Sequence, residues 1–276
     1  MKKIFSTFVL LLLFTSSAFA QNDVKEIKNL IKKHNQALKA QNTKEIRTYY
    51  DKSYLNSDGF NLDELVELLE KSYKAYSDIK YKAKIDSINV YDNWAIARLS
   101  DTTNAFVYTD NKKKDKKKAG YLTSKSIYNA YLKKNDGQWK FFYDDITMEE
   151  SALKYGVARG MKMCLDSPVL IENGKEYNLS LKLEKPTTII ALASLVNEEI
   201  KYPTPDFKEK FRKYPADGQL ERIVKANKNG LDEYAIASVG LTQIGINKEQ
   251  TKAQVKIVGI AYLMKRINMQ KKVNTL

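Results

Sequence analysis

Apolar side chains recur at Val24, Ile27, Leu30, Ile31 and Leu38, and lysines fill most of the opposite positions. This spacing predicts a helix over 24–38 with one face turned to a core, and His34 falls on that face. A second short helix is expected over Thr43–Asp51, with Thr43 as its cap. Asn61 followed by Glu64 has the form of a capping box opening a third helix, whose apolar face is Leu62, Leu65, Val66 and Leu69. The period then changes to two. Ile79–Tyr91 alternates through Tyr81, Ala83 and Ile85, then through Ile88 and Val90 after Asp86 and Ser87. Asp92 and Asn93 turn the chain into a second strand, Trp94–Thr109. Gly120–Lys134 reads as a third strand, and Asn135, Asp136 and Gly137 as a tight turn into a fourth, Gln138–Thr147. Helices followed by a long antiparallel meander predict an α+β domain.

Residues 149–160, "EESALKYGVARG", read as a short helical linker. Strand patterns follow at Val169–Ile171, Tyr177–Leu183, Thr188–Val196, Leu220–Ala226, Glu233–Leu241 and Val255–Ile267. A proline-rich stretch, "KYPTPDFKEKFRKYPADG", interrupts them with a single helical turn that would pair Phe207 with Phe211. Short strands separated by turns over 161–270 predict an all-β sandwich, immunoglobulin-like by analogy, followed by a tail at 271–276.

The helix "VKEIKNLIKKHNQALKAQNTKEIRTYY", the strands around "YDNWAIARL" and the hairpin "YLKKNDGQWKFFYDD" together resemble the NTF2-like superfamily of SnoaL-like and DUF4440 type. The resemblance covers about Asp23 to Met148 and rests on the order of elements. It implies a domain over 21–148 in which a strongly curved sheet wraps around helices and leaves a pocket at its open end. The superfamily contains isomerases, dehydratases, cyclases and members with no catalysis, so the fold alone does not assign an activity.

Lys2 and Lys3 precede an almost wholly apolar run, Ile4–Phe14, and Ala18-Phe19-Ala20 ends the stretch. That run is about half the ~20 residues a membrane-spanning helix needs, so residues 1–20 read as a cleavable secretory signal cut after Ala20. A periplasmic or secreted protein without a later transmembrane anchor is the expectation. Cys164 is the single cysteine, so no internal disulfide can form. It sits between apolar neighbours in "MKMCLDSP" and reads as a packed small hydrophobe.

Of the formal charge of +14, "NKKKDKKKAG" at 111–120 contributes +5, six lysines against one aspartate. Lys112, Lys113, Lys114, Lys116, Lys117 and Lys118 have no interleaved aromatics, unlike nucleic-acid grooves. The run reads as a solvated loop tip, with anionic envelope polymers as the alternative partner and no nucleic acid expected.

One histidine and one cysteine exclude ordinary zinc sites, and Walker, GxGxxG and GxSxG motifs are missing. No metal or cofactor is expected. As the only histidine, His34 is a candidate general acid/base, paired with a carboxylate such as Asp101 or Asp145. Asp144 and Asp145 follow one another, and strand alternation admits at most one to a pocket; they read as the polar end of a strand. Among eighteen tyrosines, Tyr50, Tyr73, Tyr128 and Tyr143, with Trp139, are candidate lining residues for an amphipathic ligand. Tyr49, Tyr54, Tyr76 and Tyr131 belong to the same set.

The leading reading is an exported, non-catalytic module. It would bind a small apolar or amphipathic ligand or an envelope protein, or pair with a second copy through its sheet. The alternatives are a cofactor-free isomerase or dehydratase, and a surface-interaction protein.

Overall fold

The computed structural model describes residues 2–109, 117–201, 209–216, 218–246 and 253–270, with side chains at 21–108, 119–201, 209–216, 218–245 and 254–270. The chain divides into two compact units that interleave along the sequence. The first comprises Met1–Lys71, Tyr81–Asp101 and Tyr128–Asp145; the second comprises Ser72–Lys80, Thr102–Ile127 and Ile146–Leu276.

In the first unit, α1 (Lys2–Lys39) turns Ile27, Ile31, His34 and Ala37 inward, as the spacing requires. It is followed by α2 (Thr43–Thr48), β1 (Tyr50–Asn56) and α3 (Leu62–Ala75). The long strands β2 (Ser77–Tyr91), β3 (Trp94–Thr109), β4 (Lys117–Asn135) and β5 (Gln138–Gly156) are side-by-side neighbours in chain order. Asp136 and Gly137, at φ 49° and 76°, make the primed turn between β4 and β5 that a right-twisted hairpin needs. Ala95, Ala97 and Leu99 of β3, Ala130 and Leu132 of β4, and Trp139 and Phe141 of β5 form one core with α1.

The capping box is present as read. Asn61 Oδ1 accepts from the backbone N–H groups of Asp63 and Glu64 at 2.9 and 3.1 Å, and Glu64 Oε2 accepts from Asn61 N–H at 2.9 Å. The second helix differs from the reading. Asn42, not Thr43, caps it through Oδ1 to the Glu45 N–H, and it stops at Thr48. From Tyr50 the backbone is drawn into a parallel strand against β5.

The second unit holds β6 (Met163–Asp166), β7 (Leu170–Glu172), β8 (Glu176–Leu183), β9 (Ile190–Glu199), β10 (Arg212–Lys213), β11 (Gln219–Lys225), β12 (Glu233–Ile246) and β13 (Ala253–Gln270). One sheet runs β10-β9-β12-β13 and on to the last residues of β5; β11, β8 and β6 form another. Leu179, Leu181 and Leu183 of β8 share a core with Ala193 and Leu195 of β9 and with Val239 and Leu241 of β12.

The stretch 149–160 is not a helix. It continues β5 to Gly156, paired with β13 from Glu150↔Lys265 to Gly156↔Gly259, and ends in a single 3-10 turn over Val157–Gly160. Its local helical pattern is overridden by cross-strand pairing. Gly156 is required there: at φ 58°, a Cβ would lie 2.2 Å from the Val258 carbonyl oxygen. The described residues are predominantly strand, more so than the expected α+β balance. The proposed turn at Phe207 lies outside the described residues; Phe211 is exposed and non-helical.

Candidate functional site

Ala95, Ala97 and Leu99 point into the first unit's core, and Asp101 follows on the same face of β3. It is 7% exposed. Its Oδ2 accepts hydrogen bonds from Tyr81 OH on β2 and, at 3.0 Å, from Tyr128 OH on β4.

The partner carboxylate arrives by a break in the alternation of β5. Trp139 and Phe141 are core residues. Phe142 then packs on Trp94 at 5.3 Å, with Lys133 lying over both rings. Tyr143 packs on Tyr131 at 5.6 Å. Lys133 and Tyr131 share the outer face of β4, so Phe142 and Tyr143 point to the same side, the signature of a β-bulge. The bulge returns Asp144 to the inner face and sends Asp145 outward. Asp144 Oδ2 accepts a 2.7 Å bond from Tyr54 OH on β1, and the Tyr54 ring lies edge-on to Tyr50 at 4.7 Å. Tyr50 OH in turn shares a 3.1 Å hydrogen bond with His34 Nε2 on α1.

Each aspartate is thus held by one oxygen only. Asp101 Oδ1 and Asp144 Oδ1 are both shut off from solvent and have no hydrogen-bond partner among the described residues. Burial raises the Asp101 carboxyl above its ordinary value, against the pull of its two tyrosine hydroxyls. Burial, together with the nearby Asp101 charge, pushes Asp144 up to about 7. Burial drives His34 the other way, down to about 4, which leaves it neutral near pH 7. Tyr54, Tyr81 and Tyr128 are all raised by burial and by neighbouring aspartate charge. They therefore remain hydroxyl donors at neutral pH.

Of the sequence-derived candidates, Tyr50, Tyr54, Asp101 and Tyr128 join this cluster, and His34 reaches it through Tyr50. The anticipated His34–carboxylate pair is not formed, because the His34 hydrogen bond goes to Tyr50. Asp145 is displaced by the bulge in favour of Asp144, which is no strand terminus, since β5 continues to Gly156. Tyr143 and Tyr131 pack together on the outer face. Trp139 is a core residue whose Nε1 donates to Asp23 at 3.1 Å. Tyr49 donates to Glu45 at 2.7 Å, and Tyr73 and Tyr76 belong to the second unit. Tyr81 is the residue that sequence reasoning missed outright; its inward place on β2, the strand beside that of Asp101, was the available signal.

Lys112, Lys113, Lys114 and Lys116 lie outside the described residues; Lys117 and Lys118 open β4 with side chains also outside them. Cys164 is exposed rather than packed. Alternation on β6 buries Leu165 and turns Cys164 out, beside a cleft of about 260 Å³ in the second unit, which Lys125, Glu150 and Lys265 also line. Among the described residues, no group of three or more His, Cys, Asp or Glu side chains is placed to hold a metal, and no helix is long and apolar enough to cross a membrane.

No family model and no curated protein matches the chain. Solved structures are similar to under half of it. They include a conserved protein from Planctomyces limnophilus, at 12% identity over 45% of this chain and 94% of that one, with a TM-score of 0.39. A candidate dehydratase of the NTF2-like family from Streptomyces avermitilis is similar at 8% identity, over 46% of this chain and 96% of that one, with a TM-score of 0.39. A type 2 hexachlorocyclohexane dehydrochlorinase is similar at 10% identity, over 46% of this chain and 84% of that one, with a TM-score of 0.38.

Proposed function

We propose that the first unit is an NTF2-like binding domain, in which Asp101 and Asp144 recognise a small ligand that carries hydrogen-bond donors. The observation behind this reading is the pair of buried, unpartnered Oδ1 atoms. A buried acceptor without a partner costs about 1–3 kcal/mol, more when charged, and native interiors satisfy nearly all such atoms. Here two of them occur in one cluster, on carboxylates whose other oxygens are fixed by tyrosines. A ligand donating to both would complete the network. The second unit, as an immunoglobulin-like sandwich, would serve contacts with other proteins. Export with cleavage after Ala20 and attraction to anionic envelope polymers through Lys112–Lys118 belong to the same proposal.

The test is a native mass spectrum of the chain purified from its own source. The expected result is a chain beginning at Gln21, with added mass that disappears in the Asp101→Asn/Asp144→Asn variant. A chain at its own mass, unaltered by the double substitution, overturns the binding reading. A start at Met1 overturns the export reading separately.

A second reading is supported by Asp144 alone. A carboxyl that titrates near neutrality both gives and takes protons at working pH. Asp144 would then be the acid/base of a cofactor-free isomerase or dehydratase, with Asp101 and the tyrosines orienting the substrate. In that case Asp144→Asn abolishes turnover, and the wild-type rate follows a titration near pH 7. An Asp144→Asn variant with undiminished turnover sinks it.

A further inference from the structure

We propose that the ligand recognised by Asp101 and Asp144 is cationic, a small protonated amine. This rests on the binding reading above and narrows it to one class of ligand.

The groups that face the two carboxylates come from every element around them: His34 from α1, Tyr50 and Tyr54 from β1, Tyr81 from β2 and Tyr128 from β4, with Asp58 acting on Tyr54 from just beyond β1. These groups are neutral or acidic. Neither Asp101 nor Asp144 has an ion pair among the described residues, in a chain with 47 lysines and arginines. Two other sheltered carboxylates carry a cation: Lys134 Nζ lies 2.6 Å from Asp23 Oδ1, and Arg266 Nη2 lies 2.5 Å from Asp232 Oδ2. Glu233, buried without a cation, has both oxygens filled by neutral donors. Asp101 and Asp144 have neither a cation nor a full set of donors.

Hydrogen-bond donors alone would satisfy the orphan oxygens but leave charge buried without compensation, the more costly of the two deficits. An ammonium group supplies both needs, with three donors and one positive charge. An alcohol of equal size meets only the first need. Both Oδ1 atoms lack a donor, and a primary ammonium can supply one where a quaternary ammonium, with no N–H, cannot.

The test uses the full chain with carboxyl-labelled aspartate and follows the Asp144 signal against pH by NMR. Methylammonium chloride, methanol and sodium chloride are added separately at equal concentration. A cation bound between the carboxylates favours their ionised forms, so methylammonium lowers the Asp144 midpoint by about one pH unit, a tenfold shift in the protonation equilibrium. Sodium chloride and methanol leave the midpoint in place, and Asp101→Asn removes most of the methylammonium effect. A methanol shift as large as that of methylammonium overturns the cationic class and leaves the binding reading standing. So does a methylammonium shift that survives Asp101→Asn. If no probe perturbs either carboxyl signal, both readings fall.

Discussion

Both units bury a carboxylate beside tyrosine, yet the two sites are finished differently. In the second unit, Glu233 is 1% exposed and both its oxygens are saturated. Oε2 accepts from Tyr177 OH at 2.8 Å and from Asn197 Nδ2 at 3.0 Å, and Oε1 accepts from the N–H and Nδ2 of Asn227 at 2.7 and 2.8 Å. In the first unit, Asp101 and Asp144 each keep one oxygen satisfied and one bare. A closed network ties β8, β9, β12 and the 226–232 loop together and has no capacity left for a ligand. An open one holds its carboxylates in position while leaving part of their bonding capacity unused. Burial alone therefore does not separate a structural carboxylate from a functional one; completeness of its partners does.

The largest expected effect comes from opening the closed network. Glu233→Ala strands Tyr177, Asn197 and Asn227 without an acceptor, and should cost about 3–5 kcal/mol in chemical denaturation followed by a second-unit probe. A loss below about 1 kcal/mol would show that the network is not what holds these strands.

The next effect is a pH dependence of the open network, in which two groups oppose one another. Asp144 rises from 3.8 to about 7 on folding, so the folded state holds the extra proton. Its contribution to stability is present at low pH and is lost as pH rises through 7. His34 falls from 6.5 to about 4, so the unfolded state holds the extra proton. Its contribution is present above pH 6.5 and is lost as pH falls toward 4. Between about pH 4 and 6.5 the two slopes cancel. Asp144→Asn should unmask a stability that rises with pH, and His34→Gln one that falls, each by up to about 1.4 kcal/mol per pH unit. Urea midpoints across that window check both signs, and parallel profiles for the two variants would break the comparison.

The smallest effect belongs to a complete network on the surface. Asn61→Ala removes the reciprocal cap of α3 and should cost about 1 kcal/mol, independent of the groups above. If its loss matched that of Glu233→Ala, completeness rather than burial would set the whole scale.

Much of the scaffold of this site was legible in the sequence. The 3.6-residue stripe placed His34 inward on α1, the Asn61–Glu64 spacing located the start of α3, and Trp94–Thr109 was read to the residue. What escaped were features that no local pattern encodes. β1, "YDKSYLN", is too polar and irregular to read as a strand, and exists because β5 lends it a partner. The strand character of 149–156 likewise depends on β13. Asp144 escaped for a different reason. Alternation counted from Trp139 and Phe141 assigns the inward place to Asp145, and only the packing of Phe142 and Tyr143 on neighbours of the same outer face reveals the skipped beat.

That bulge makes the site a matter of counting. Flattening it would leave the composition of β5 unchanged, and its hairpin with β4 could still form. It would nevertheless swap the addresses of two adjacent aspartates, delivering Asp145 to the tyrosine cluster and turning Asp144 out. Deleting one residue at Phe142 or Tyr143 would do the opposite, because regular alternation from Trp139 and Phe141 would then carry Asp144 inward without a bulge. Both are aspartates, so the swap would keep the side-chain type and alter only the backbone beneath it. A chain can thus carry an identical Asp-Asp pair through evolution while the backbone upstream decides which member is read.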